Sequence, residues 1–316
     1  MLKSFLKQFL PASYWQERSL RLWYAEQEKN VHSVETAIQI LRDRWQCQPS
    51  DCSERPIFIF SAGWRAGSTL LQRLINSDPR VLVWGEPYHK GNFVQVLSQS
   101  VCSFTQTFPP DSYFINSANF SGSEDQLFSR WTANLYPEID AFIAAQRVFF
   151  QTLYGQPAQQ RGFERWGLKE VRLSIDHAIY LKWLFPQGKF LFIYRNPYKT
   201  YASCHTWSDL YFRWPDQPVF TPETFGLYWR GMVTGYRRGW EALGGLLLPY
   251  EAFCGGEPST AAIASYLELK LDPAVMTRRI GSQEKKTPLS PRQIQRLQRV
   301  VDPLAAQLGS TLILEV

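Results

Sequence analysis

The chain has no Cys-x-x-Cys pair, and its five cysteines (Cys47, Cys52, Cys102, Cys204, Cys254) are odd in number and widely spaced. Only four histidines are present. A disulfide scaffold and a structural zinc site are therefore not expected, and reduced thiols in a cytoplasmic protein are. No apolar run approaches the roughly 18 residues of a membrane span. The opening MLKSFLKQFLPASYW is interrupted by Lys3 and Lys7 and is too short for a signal-peptide core. Leu2, Phe5, Leu6, Phe9 and Leu10 do share one helical face, which is expected to dock on the chain's own core rather than on a membrane surface. Internal repeats and low-complexity tracts are absent as well. So are RNP, zinc-finger and helix-turn-helix patterns, and no nucleic-acid partner is expected.

What is present suits a globular protein. Of 316 residues, 45% are hydrophobic and 20% charged, which is ordinary composition with ample material for a core. Aromatics reach 15%, enough to build pocket walls beyond the core. Lys and Arg total 34 against 28 Asp and Glu, a net charge of +6 that suits an anionic partner such as a nucleotide.

Residues 1–55 read as an N-terminal helical extension ending in the breaker-rich loop QCQPSDCSERP. From residue 56 to 316 short apolar runs alternate with helical stretches. The runs are IFIF (57–60), VLVW (81–84), WGLKEV (166–171), KFLFIY (189–194) and LLLPY (246–250). Continuous apolar runs of this length fit strands buried on both faces of a parallel sheet. The predicted fold is α/β, a P-loop-type parallel sheet flanked by helices. Residues 99–165 form a long insertion with a helical pattern over Asp140–Leu153, of the kind that makes a lid over an acceptor site. A last helix is expected from Ser290, with Ser290 as N-cap and Pro291 at the first position.

The first chemical motif is IFIFSAGWRAGSTLLQRLINS, residues 57–77. A buried strand enters a loop with two glycines, and Ser68 and Thr69 open a helix with an apolar face. Such a junction aims backbone N–H groups and the positive helix end at an anion. The loop Gly63-Trp64-Arg65-Ala66-Gly67-Ser68-Thr69 is one residue short of a nucleotide-triphosphatase P-loop and lacks its Lys. The second motif is KFLFIYRNPYKTYASCHTW, residues 189–207. Its strand delivers Arg195 at the carboxyl end, Asn196 and Pro197 start a helix, and Ser203 lies two turns on. A fixed Arg and a hydroxyl make a second phosphate site. Ligands of open parallel sheets bind at the carboxyl ends of the strands, where both motifs fall.

Together the two motifs resemble the sulfotransferase family, whose members use 3′-phosphoadenosine 5′-phosphosulfate. Trp64-Arg65-Ala66-Gly67-Ser68-Thr69 is similar to the loop of carbohydrate and tyrosylprotein sulfotransferases, with Ala66 in place of the usual Ser. The resemblance implies that Arg65, Ala66, Gly67, Ser68 and Thr69 hold the 5′-phosphosulfate, and that Arg195 and Ser203 hold the 3′-phosphate. Asn76-Ser77-Asp78-Pro79-Arg80-Val81 with Gly85-Glu86-Pro87 resembles a family stretch whose Glu is the proposed general base, a role carried to Glu86. His89, three residues on, is the alternative base. Lys169 matches a Lys that contacts the transferring group in tyrosylprotein sulfotransferases, and Tyr250 matches a Tyr beside the adenine. Lys286 matches a late basic loop over the nucleotide. The GxxGDWK-like loop of cytosolic members is missing.

The catalytic set implied is Glu86, Lys169 and Arg65, and no metal is called for. The acceptor is expected to be a small molecule or carbohydrate, with Glu86, His89, His205 and Trp207 as candidate contacts. The rival readings are a P-loop nucleotide kinase and a non-catalytic nucleotide-binding protein.

Overall fold

The computed structural model describes residues 33–47, 52–86, 91–115, 123, 125, 135–207, 219–256, 260–277 and 288–308, with the backbone alone for 205–207. The five apolar runs form one sheet: β1 (Ile57–Ser61), β2 (Val81–Trp84), β3 (Arg165–Glu170), β4 (Lys189–Tyr194) and β5 (Leu246–Pro249). The order is β2-β3-β1-β4-β5, and all four pairings are parallel. This is the α/β architecture expected from the runs.

Alternation along the strands sorts the two faces by chemistry. Phe58, Phe60, Leu168, Phe190 and Phe192 point into one cluster with Trp166, Phe185 and Tyr236. Its rings meet at close range, as in Phe58–Phe190 at 5.1 Å and Phe192–Tyr236 at 5.0 Å between centroids. Ile57, Ile59, Val83, Leu191 and Ile193 point the other way, against Leu71, Leu74, Ile75 and Ile263. Burying each such side chain contributes roughly 1.5–3 kcal/mol. Both faces being covered explains why the strands read as unbroken apolar runs.

The first four described helices are α1 (Val34–Trp45), α2 (Ser68–Ile75), α3 (Phe93–Val101) and α4 (Ile139–Phe150). A π-helical turn (Gln151–Gly155) extends α4, which lets the Tyr154 carbonyl accept the Trp84 indole N–H at 3.0 Å. α1 buries Val34, Ala37, Ile38 and Leu41 in the aromatic-faced core. At its end Arg44 donates to the carbonyls of Thr105 (2.6 Å) and Pro109 (2.9 Å) and pairs with Asp111 (2.9 Å). Trp45 beside it packs edge-on against Phe104 and Phe114 at 5.7 and 5.5 Å. Phe104 and Phe114, at the start of the insertion, thus pack on α1.

β2 is a sheet edge, and side chains complete its ladder. Asn76 donates to the Val83 carbonyl at 3.1 Å and accepts from the Val83 N–H at 2.8 Å, and Gln72 donates to the same carbonyl at 2.9 Å. Nearby, the buried Asp78 carboxylate accepts from Arg80 and from the Lys270 N–H at 2.7 Å. Arg80 holds its pKa well below the usual carboxylate range, with the backbone donors adding to this and burial opposing it. A depressed folded pKa contributes stability above the unfolded value of about 3.9, and that contribution fades as pH falls towards the folded value. Asp78→Ala should therefore cost about 1–3 kcal/mol at neutral pH. Thermal melts should show the gap to wild type closing in acid; a gap independent of pH would contradict this role.

Candidate functional site

β1 ends at Ser61, whose hydroxyl donates to the Gly63 carbonyl at 2.8 Å. The loop that follows is built on left-handed backbone at Gly63, Arg65 and Gly67, with φ of 97°, 62° and 95°. Left-handed backbone costs a non-glycine residue about 1–2 kcal/mol, so Arg65 must be held. Its carbonyl accepts from Arg195 Nη1 at 3.0 Å, and its own Nε donates to Ser203 Oγ at 3.0 Å. Trp64 is buried and stacks on Tyr228, whose hydroxyl ties the arrangement to the Val171 carbonyl at 3.1 Å.

α2 begins at Ser68 with Gly67 as its cap, and no side chain caps it. Its first N–H groups have no intrahelical acceptor, and the positive end of the helix dipole lies there. Thr69 is exposed at this end, whereas Ser68 and Ala66 are buried. Gly67 is irreplaceable on two counts. Its φ is positive, and a Cβ would lie 2.1 Å from Tyr250 Cδ2. The Tyr250 ring therefore lies against the loop, with the Arg195 guanidinium 4.6 Å from the ring centroid. Burial pushes the Tyr250 hydroxyl above its ordinary pKa.

α7 (Pro197–Trp207) starts differently. The intervening helices are α5 (Gln156–Gln159) and α6 (Ile175–Leu184), and α7 follows directly from β4. Asn196 Oδ1 accepts from the N–H groups of Tyr198 (3.0 Å) and Lys199 (3.2 Å), and Pro197 has none to offer. The Asn196 N–H itself donates to both oxygens of Glu251, at 3.2 and 3.3 Å. This helix start is closed by the chain's own groups, whereas that of α2 is open.

The ends of β2 and β3 bring a second group together. Lys169 shares the aliphatic face of the sheet and forms an ion pair with Glu86. The Lys169 side chain is 6% exposed and that of Glu86 is 29% exposed, so the pair opens to solvent on the carboxylate side. On the opposite face Glu170 is buried, accepts from the Val171 N–H at 2.8 Å and pairs with Arg172 at 3.3 Å. Burial raises the Glu170 pKa, while Arg172 pulls it down and the Glu86 charge adds to the rise. Arg172 Nη1 also donates to the side-chain oxygen of Asn92, which stands at the N-cap position of α3 without capping it by its side chain.

The structure thus joins Arg65 to Ser203 and Arg195, Tyr250 to Gly67 and Arg195, and Lys169 to Glu86. Both groups lie at the carboxyl ends of the strands, flanking β1. His89 and Lys286 lie outside the described residues, as do the side chains of His205 and Trp207 and residues 2–10. Glu251, Glu170 and Arg172 were not singled out from the sequence. Glu251 directly follows Tyr250, so the strand-end motif carried a signal for it; the other two differ in no visible way from a solvated ion pair. Among the described residues, no group of His, Cys, Asp and Glu has the makings of a metal site. Among them too, no helix is long and apolar enough to cross a membrane.

Several solved structures are similar to this chain. The sulfotransferase domain of the Synechococcus PCC 7002 olefin synthase is 18% identical, covering 82% of this chain and 86% of its own, with a TM-score of 0.41. A Mycobacterium avium sulfotransferase is 17% identical, covering 90% and 82%, with a TM-score of 0.42. One from Alicyclobacillus acidocaldarius is 15% identical, covering 82% and 97%, with a TM-score of 0.40. Among curated proteins none matches. A sequence model of the sulfotransferase family matches residues 56–280, well over half of the chain and every strand of the sheet. The chain belongs to the sulfotransferase family.

Proposed function

We propose that this protein transfers a sulfuryl group from 3′-phosphoadenosine 5′-phosphosulfate to a hydroxyl of a small metabolite or sugar. The observation that carries the reading is the junction of two anion-binding strand ends through Arg65, Arg195 and Ser203. An open helix start and a fixed guanidinium side by side suit a nucleotide with phosphates at both its 5′ and 3′ positions. The uncapped start of α2 and the Gly67 approach fit the 5′ end. The closed start of α7 leaves the 3′-phosphate to side chains, Arg195 and Ser203.

In this reading the donor supplies an activated sulfuryl group, and the chain positions it and manages charge. Arg65 and the 66–69 amides stabilise charge on the phosphate as the P–O–S linkage to the sulfuryl group breaks. Lys169 faces the sulfuryl oxygens. One Glu86 oxygen is held by Lys169, and the other is left to take the proton from the acceptor hydroxyl. Tyr250 lies on the nucleotide side. A cytoplasmic setting would suit such a reaction.

The test is incubation with the donor and a panel of hydroxylated acceptors, read by mass spectrometry. The expected result is an acceptor heavier by one sulfuryl group, matched by release of 3′,5′-adenosine bisphosphate. Absence of both across the panel, with the bisphosphate failing to bind, would overturn the proposal. A second prediction concerns Arg195→Ala. A hydrogen bond to a charged group is worth about 1.5–3 kcal/mol. The variant should bind 3′,5′-adenosine bisphosphate roughly tenfold to a hundredfold more weakly, with a clearly smaller loss for 5′-AMP, because Arg195 also steadies the Arg65 carbonyl. Equal losses for both nucleotides would remove Arg195 from the 3′-phosphate site.

A further inference from the structure

Arg195 is approached from three sides. Its Nη1 donates to the Arg65 carbonyl at 3.0 Å, and the Tyr250 ring centroid lies 4.6 Å from the guanidinium carbon. Its Nε is buried without a hydrogen-bond partner, and the nearest carboxylate oxygen, Glu251 Oε1, is 3.9 Å away. The Arg195 side chain is 18% exposed, so only a limited edge can meet a ligand. Glu251 is 39% exposed and anchored by the Asn196 N–H on both of its oxygens.

From this geometry we infer that Glu251 is the resident counter-ion of Arg195, an internal anion that competes with the 3′-phosphate and sets nucleotide affinity. The inference rests on the 3′-phosphate reading given above. A phosphate on the remaining edge of the guanidinium comes within a few ångströms of the Glu251 carboxylate. Both draw on one positive charge, and the helix start that would otherwise help is already closed by Asn196. Like charges at that range disfavour each other even at a high effective dielectric. Glu251 also contributes order, since it holds the backbone next to Arg195. That contribution survives in glutamine, whose carbonyl can still accept from the Asn196 N–H. Charge is then the property that glutamine removes. The consequence for turnover is on release: a built-in competitor weakens the bisphosphate product as much as the donor, and product release sets the rate of many enzymes.

The experiment is calorimetric titration of wild type, Glu251→Gln, Arg195→Ala and the double variant with 3′,5′-adenosine bisphosphate and with 5′-AMP. Glu251→Gln should bind the bisphosphate about tenfold tighter, with 5′-AMP unchanged and thermal stability close to wild type. In the Arg195→Ala background the gain should vanish, because the contested charge is gone. A purely structural Glu251 would instead weaken both nucleotides together, and that result overturns the inference, as does an unchanged affinity. If wild type does not distinguish the bisphosphate from 5′-AMP, the 3′-phosphate reading itself fails. If it does distinguish them and Glu251→Gln leaves the ratio alone, only the counter-ion role fails.

Discussion

Lys169→Ala is expected to lower turnover by about 10²–10³-fold, the loss associated with one well-aimed donor at a developing charge. Binding of 3′,5′-adenosine bisphosphate should stay close to wild type, because Lys169 faces the Glu86 side of the site and makes no contact with the Arg195 group. The ion pair adds a sharper expectation. Glu86→Gln should also lose most of its turnover. Residues that act as a unit are not additive, so the double variant should be little worse than the worse single one. Losses that multiply would mean that Lys169 and Glu86 act on separate steps. Near-wild-type turnover in Lys169→Ala would remove it from the catalytic set.

Gly67→Ala is the second large effect. Alanine at φ 95° is strained by about 1–2 kcal/mol. The added methyl also meets the Tyr250 ring, which cannot swing away without leaving Arg195. Overpacking of this kind costs about 1–3 kcal/mol more. The sum, about 2–5 kcal/mol, should appear as a lowered unfolding midpoint, together with loss of donor binding. Tyr250→Ala in the same chain removes the clash but not the strain. The double variant should therefore recover part of the stability, and failure to recover any would show that the ring is not the obstacle.

Much of this was legible in the sequence, for physical reasons that differ by element. The five strands were visible because both faces of the sheet are covered, which leaves unbroken apolar runs such as IFIF and KFLFIY. The start of the last described helix, α11 (Pro291–Gln307), was visible because Ser290, Pro291 and Gln293 carry cap chemistry within its first turn. α11 follows α8 (Pro222–Gly239), α9 (Tyr250–Cys254) and α10 (Thr260–Leu267). The loop after β1 and the placement of Arg195 were legible because strand, glycines and hydroxyls are contiguous.

What was hidden depends on contacts between distant segments. Lys169 meets Glu86 only because β2 pairs with β3, across a separation of 83 residues. Arg195 meets Glu251 across β4 and β5, and although Glu251 stands beside Tyr250 in the strand-end motif, the motif does not show that its carboxylate reaches the start of α7. The helical pattern expected over Asp140–Leu153 is instead an α-helix over Ile139–Phe150 with a π turn over Gln151–Gly155. The shift in hydrogen bonding follows from packing, since Trp84 claims the Tyr154 carbonyl and a Cβ at Gly155 would lie 3.2 Å from the Trp166 indole nitrogen. Among the described aromatics of the insertion, Phe104 is buried in the core and Phe108 stays exposed.

The central claim is that two strand ends hold one nucleotide by both its 5′ and 3′ phosphates. Calorimetric titration of the wild-type protein with 3′,5′-adenosine bisphosphate, ATP and 5′-AMP, without magnesium, tests it most directly. The account predicts tight one-to-one binding of the bisphosphate and much weaker binding of the other two. A preference for ATP, or equal affinity for all three, would contradict it.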